Sequence, residues 1–248
     1  MPERVVVITG ASGGIGAALA LTLAARGDGV LLVARREEAL REVATRCGEH
    51  AVPVVADMTR REEVRRVVQE ALRRSGRIDV WVNNVGQGIT RLPSELTDED
   101  LDEMMRVNVK SALYGMQEVL PHFKERGEGH VINVSSMLGR VPYTTFRSAY
   151  NGAKHFLNAL TANFRAEVQE QYPGIQVSLV SPGLVWTEFG RNARHGGPDS
   201  RQIPLGQEAG EVAAVIAGVI ASRRLDVYTR PGSHDRVVAY YDGVGADP

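Results

Sequence analysis

Thr9-Gly10-Ala11-Ser12-Gly13-Gly14-Ile15-Gly16 is the stretch on which the fold is decided. It closes a β-branched run, Val5-Val6-Val7-Ile8, and opens a helical segment over 16–26, in which Leu19, Leu23 and neighbouring alanines continue an apolar face begun by Ile15. A second apolar run, 30–33, follows at once. Strand, tight glycine turn, helix and strand form a βαβ unit, and continuous apolar strands imply a parallel sheet covered on both faces. At such a junction the glycines let the backbone approach a pyrophosphate. Free N–H groups and the positive end of the helix dipole favour its negative charge. Gly10, Ser12, Gly13, Gly14, Ile15 and Gly16 are therefore candidate dinucleotide contacts, and Gly16 lets the helix pack close on the sheet.

The alternation repeats along the chain. Helices are expected over 37–47, 62–75, 98–107 with continuation through 117–123, 148–171 and 211–222. Strands are expected over 51–55, 79–82, 131–134, 175–180 and 227–229. No low-complexity linker, charge block or internal repeat interrupts the pattern. The loosest stretch, 186–210, is rich in Gly, Arg, Asn and Pro and reads as a substrate loop or lid. The expectation is one α/β domain over 1–248, a Rossmann-like doubly wound parallel sheet with helices on both faces.

Composition narrows the function. Hydrophobic content of 43% and charged content of 24% in 248 residues are those of a soluble globular chain. A net charge of −1 leaves no electrostatic footprint for nucleic acid or for an anionic membrane surface. Cys47 is the only cysteine, which excludes an internal disulfide and a Cys metal cluster, fits a reducing compartment and reads as a partly buried structural thiol. The longest apolar stretch, 212–221, is too short for a membrane span. The chain enters its first strand without a charged n-region and long apolar h-region, so no signal peptide and a cytoplasmic location are expected.

The second apolar run ends Leu32-Val33-Ala34-Arg35-Arg36. A site for NAD carries Asp or Glu there to accept from the ribose hydroxyls; Ala34 stands in that place. Arg35 and Arg36 can fork onto a 2′-phosphate, and no carboxylate repels it. Two solvated surface arginines are the plainer alternative. The residues favour NADP(H) over NAD(H).

Tyr150-Asn151-Gly152-Ala153-Lys154 places a phenol and an ammonium four apart, hence on one helix face. A free tyrosine titrates near pH 10, and nearby positive charge draws it toward working pH. Taken with this pair, Thr-Gly-x-x-x-Gly-Ile-Gly resembles the nucleotide signature of the main, single-domain branch of the short-chain dehydrogenase/reductase family. The matches run in family order from Thr9 to Thr187, about three quarters of the chain.

The resemblance implies further roles. Asp57-Met58 is similar to the family's adenine-contacting pair, and Asn83-Asn84-Val85-Gly86 to its Asn-Asn-Ala-Gly segment, with Val85 in place of the usual Ala. Ser136 matches the serine that donates to the substrate oxygen, and Asn108 the helix-embedded asparagine whose amide disturbs the local helix and holds a relay water linking Lys154 to solvent. Pro182-Gly183 with Val185 and Thr187 resembles the segment beside the nicotinamide. One departure stands out: from Ser136 to Tyr150 is one residue longer than the usual family spacing, with the extra residue expected within 144–147.

The function implied is hydride transfer between NADP(H) and a carbonyl or secondary alcohol, with Tyr150 as general acid and base. A non-catalytic, dinucleotide-sensing regulator on the same fold is the alternative from another class. Epimerisation or dehydration of a nucleotide sugar is a third, although it usually uses a C-terminal substrate domain larger than the roughly sixty residues after Thr187. Trp186, Phe189, Tyr143 and Phe146 are candidates for an apolar pocket wall or for local packing. Arg191 and Arg194 are candidates for an acidic substrate group or for solvated surface. The resemblance implies a homodimer or homotetramer through helices bearing Met104, Leu113 and Met116, and Phe156, Leu160 and Phe164; core packing explains the same stripes.

Overall fold

The computed structural model describes residues 2–245; Met1 and residues 246–248 of the expected 1–248 span lie outside the described residues. Among the described residues seven parallel strands form one sheet: β1 (Val5–Thr9), β2 (Gly29–Ala34), β3 (Ala51–Val55), β4 (Val80–Asn83), β5 (Gly129–Val134), β6 (Ile175–Ser181) and β7 (Asp226–Tyr228). Their order is β3-β2-β1-β4-β5-β6-β7. The chain winds outward from β1 to β3, returns, and winds out the other way from β4. This reversal opens a crevice between the carboxyl ends of β1 and β4, where ligands bind in such sheets.

Alternation along each strand explains the two layers of helices. Val6 and Ile8 face one side, against α1 (Gly14–Ala24), α2 (Glu37–Cys47) and α7 (Ala209–Ser222). Val7 and Trp81 face the other, against α3 (Arg61–Ser75), α5 (Ser111–Arg126) and α6 (Ser148–Gln171). Both faces are buried, which is why the strands read as unbroken apolar runs. The expected doubly wound sheet is the one observed.

Two helical details differ from the sequence expectation. The helix predicted to continue from 98 to 123 is instead α4 (Asp98–Met105), a π-helical turn (Arg106–Lys110) and then α5. Asn108 sits in the middle of that turn, its Nδ2 donating to Met104 O at 3.1 Å and Gln87 O at 2.9 Å. A side chain that takes a backbone carbonyl competes with the helical ladder, and the turn widens. A last helix, α8 (Ser233–Asp242), was not anticipated; of its side chains only Ser233 is buried, so no apolar stripe announces it.

Met104, Met116 and Phe164 belong to the core within the chain, Leu113 and Leu160 are half-buried, and Phe156 is 52% exposed. Cys47 is half-buried, and burial raises its thiol pKa. Among the described residues no helix is long and apolar enough to cross a membrane, and no group of His, Cys, Asp or Glu is placed to hold a metal ion.

The glycine turn demands its glycines. Gly10 and Gly14 have φ of +68° and +54°, a region that strains other residues. A Cβ on Gly16 would lie 2.4 Å from Gly10 O and 2.7 Å from Asn84 Nδ2. In an open helix, Gly to Ala stabilises by about 1 kcal/mol. Here Gly16→Ala is expected to destabilise by about 1–3 kcal/mol, because backbone blocks the added methyl. A denaturant midpoint equal to or above that of the parent chain would refute this packing.

Candidate active site

A cavity of about 1000 Å³ lies over the crevice. It is within the size range of small-molecule and cofactor sites. One end is the glycine turn. Arg36 folds back across it, Nη2 donating to Ser12 O at 3.1 Å and Nε to Ser12 Oγ at 3.3 Å. Arg35, Asp57 and Met58 continue this wall. Burial pushes the Asp57 carboxyl up, but hydrogen bonds from Thr59 N and Oγ1, at 2.9 and 2.8 Å, with Arg35 and Arg106 nearby, leave it below the ordinary value. The Met58 side chain is turned into the core, 3% exposed.

The middle is built from the ends of β4 and β6. Asn84 ties the strand end to the turn, its Nδ2 donating to Thr9 O at 3.1 Å and Gly10 O at 3.3 Å. Its neighbour Asn83 joins a buried network with Trp81 and Asn133. Val85, Gly86, Pro182, Gly183, Val185 and Thr187 line the cavity, and Thr187 packs against Gly14.

The far end is set by β5 and α6. Ser135 Oγ donates to Asn158 Oδ1 at 2.5 Å and Asn158 Nδ2 to Gly139 O at 2.6 Å, which seats α6 against the strand end. Ser136, Tyr150 and Lys154 then face the cavity together. Ser136 Oγ accepts from Leu138 N at 3.1 Å. Lys154 Nζ donates to Val134 O at 3.0 Å and stands 5.7 Å from the centroid of the Tyr150 ring. Burial pushes the Tyr150 phenol up to about 12, opposed by the neighbouring Ser136 hydroxyl and the Arg147 guanidinium. Burial pushes Lys154 down to about 8.

Every residue that the sequence put at the site borders this cavity except two. Gly16 lies beneath the turn. Asn108 is fully buried behind Gly86, where a Cβ would be 3.1 Å from Asn108 Oδ1 and 3.6 Å from Lys154 Nζ.

Among the candidate wall residues, Trp186, Phe189 and Phe146 border the cavity. Tyr143 does not: it is 60% exposed and packs edge-on against Tyr240. Arg194 does not meet the cavity with a free charge either. It pairs with the fully buried Asp100, as do Arg91 at 2.9 Å and His195 at 2.8 Å. With Arg194 N donating to Gly88 O at 2.8 Å, these contacts pin the 186–210 segment over the crevice. Arg147, left within the expected insertion by the sequence reading, borders the cavity. Its position three before Tyr150, on the same side of a helical turn, was the signal available.

Residues 4–197 match the family model described as short chain dehydrogenase. An uncharacterized oxidoreductase of Staphylococcus epidermidis is 34% identical over 185 residues, 75% of this chain and 79% of that one. Among solved structures, a short-chain dehydrogenase/reductase from Burkholderia phymatum in complex with NAD superposes with a TM-score of 0.90 at 23% identity, covering 100% of this chain and 98% of that one. A short-chain dehydrogenase from Sphingobium yanoikuyae in complex with NADPH gives 0.83 at 27%, with 99% of each chain covered. A glycine turn and a buried Tyr–Lys pair at opposite ends of one crevice, carried on a sequence matched over most of its length, place this chain in the short-chain dehydrogenase family of oxidoreductases.

Proposed function

We propose that the protein is an NADP(H)-dependent oxidoreductase that interconverts a carbonyl and a secondary alcohol. What supports this reading is one cavity that has a dinucleotide cradle at one end and Ser136, Tyr150 and Lys154 at the other. The cradle suits a phosphorylated dinucleotide. Gly10, Gly13 and Gly14 border the cavity without side chains, and a Cβ at Gly13 or Gly14 would press on Arg36 Nη2 at 3.1 Å or Thr187 Cγ2 at 3.3 Å, so the turn offers its backbone N–H groups to a ligand. Arg35 and Arg36 would hold a 2′-phosphate, which favours NADP(H), and the B. phymatum and S. yanoikuyae proteins show that NAD and NADPH both occur on such folds. The turn would take the diphosphate, Asp57 and Met58 the adenine edge, and residues 182–187 the nicotinamide end.

When bound, NADPH supplies the hydride. Ser136 and Tyr150 hydrogen-bond the substrate oxygen as it gains negative charge, and such donors in a dry site are worth several kcal/mol. Tyr150 gives that oxygen its proton. A phenol held near 12 is protonated at neutral pH and therefore ready to donate. Lys154 would hold the nicotinamide ribose and steady the phenol as its charge changes, and Asn108, behind Gly86, would hold the path by which Lys154 is reprotonated.

The test follows NADPH absorbance with a panel of ketones, and NADP⁺ reduction with the matching alcohols. Ketone reduction is expected to hold level through neutral pH and to decline above about 8, where Lys154 sheds its charge. Alcohol oxidation needs the phenolate and is expected to rise with pH. Tight NADPH binding without turnover of any carbonyl or alcohol would replace this reading with that of a dinucleotide-sensing regulator.

A further inference from the structure

The 3-10 turn Thr145–Arg147 carries a buried guanidinium immediately before α6. Arg147 is 8% exposed, and its Nη1 is enclosed with no hydrogen-bond partner among the described residues. Its side chain runs between the rings of Phe146 and Phe189, 5.7 and 5.8 Å from their centroids. Gly88 has no room for a side chain because a Cβ there would lie 2.1 Å from Nη1. Nearby arginines have carboxylates: Arg201, which also borders the cavity, meets Asp199 at 2.7 Å, and Arg91 and Arg194, which do not border it, meet Asp100. Among the described residues no carboxylate pairs with Arg147, and burial pushes its guanidinium below the ordinary value.

A buried, uncompensated cation is destabilising, and removing a partner from such a charge is among the most damaging of substitutions. Contact with two aromatic faces offsets part of that, but leaves the hydrogen-bonding fork unused. A planar fork beside apolar rings matches a carboxylate. Arg147 shares its cavity with Ser136 and Tyr150, and the Phe189 ring stands 5.5 Å from that of Tyr150, edge to face.

We propose that Arg147 is the substrate's anion-recognition residue, so that the molecule reduced is a keto acid with an apolar body, its carboxylate on Arg147 and its carbonyl at Tyr150. This rests on the carbonyl-reductase reading above and narrows its substrate to carbonyl compounds that carry a carboxylate.

The experiment compares acids with their neutral esters at two carbonyl–carboxylate spacings: benzoylformate and levulinate, each with its methyl ester. Binding is read by thermal shift on the cofactor-free protein and turnover by NADPH absorbance, for the parent chain, Arg147→Met and Arg147→Lys. In the parent, at least one acid is expected to be preferred to its ester by tenfold or more in both readouts. Arg147→Met is expected to collapse that acid-to-ester ratio by on the order of 10–100-fold, the range of a charge-assisted hydrogen-bond pair, and Arg147→Lys to restore part of it. Arg147→Met should melt no lower than the parent, since it removes an uncompensated buried charge.

Equal preference for acid and ester in the parent overturns the proposal. So does an unchanged ratio in Arg147→Met, including the case where only the pH profile moves, which would make Arg147 a counter-charge to Tyr150. If no carbonyl is reduced but acids still bind Arg147-dependently, the anion site stands and the reductase reading fails.

Discussion

Tyr150→Phe is expected to lower kcat by roughly a thousandfold while leaving the Kd for NADPH within about a factor of three. Proton donation by a placed acid contributes about 10²–10⁴, and the lost hydrogen bond to the developing oxyanion adds to that. The remaining ring keeps its edge-to-face contact with Phe189 at 5.5 Å, so the wall of the cavity is preserved. The dinucleotide is gripped chiefly at the other end, where the glycine turn and Arg36 are unaffected. Pre-steady-state and steady-state NADPH absorbance, with fluorescence titration for Kd, read the two effects apart. A variant within tenfold of the parent in kcat would remove Tyr150 from the chemistry.

Arg36→Ala is expected to weaken NADPH binding by roughly 10–100-fold and NADH binding far less, which relaxes or reverses the cofactor preference. A guanidinium on a phosphate makes charge-assisted hydrogen bonds worth about 1.5–3 kcal/mol, and 1.4 kcal/mol is tenfold in affinity. Arg36 also braces the turn through Ser12, at 3.1 and 3.3 Å, so part of the loss falls on both cofactors alike. The ratio of the two Kd values isolates the 2′-phosphate. Equal weakening of NADPH and NADH would make Arg36 a brace alone and leave the preference for NADP(H) without its support.

The glycine turn, the Tyr–Lys pair and the strand ends could be read before the fold because each is a local pattern. β-branched runs, a period of 3.6 and glycines at a junction involve residues within a few positions of one another. The boundaries of α2 and α6 were met to the residue for the same reason, their apolar faces being long and regular. The π turn was legible only in part: the resemblance implies that the Asn108 amide disturbs the helix around it, but Gln87, which it also bonds, lies 21 positions away and nothing in the sequence around 108 reveals that partner. α8 escaped for the opposite reason, since a mostly exposed helix has no buried stripe to leave a period.

The arginines show the division most sharply. In sequence, Arg147, Arg191 and Arg194 are three equal cations near the end of the substrate wall, and exposure is the default for each. Arg194 meets Asp100 across 94 positions and is neutralised, while Arg147 is folded between two rings with its Nη1 left without a hydrogen-bond partner among the described residues. Which elements form followed from residues close together in the chain, because backbone geometry and side-chain periodicity act over that range. Which charges are compensated, which aromatic faces the cavity and what the site can recognise depended on the path by which distant segments return to the crevice, because Coulomb and contact interactions act through space and take no account of sequence separation.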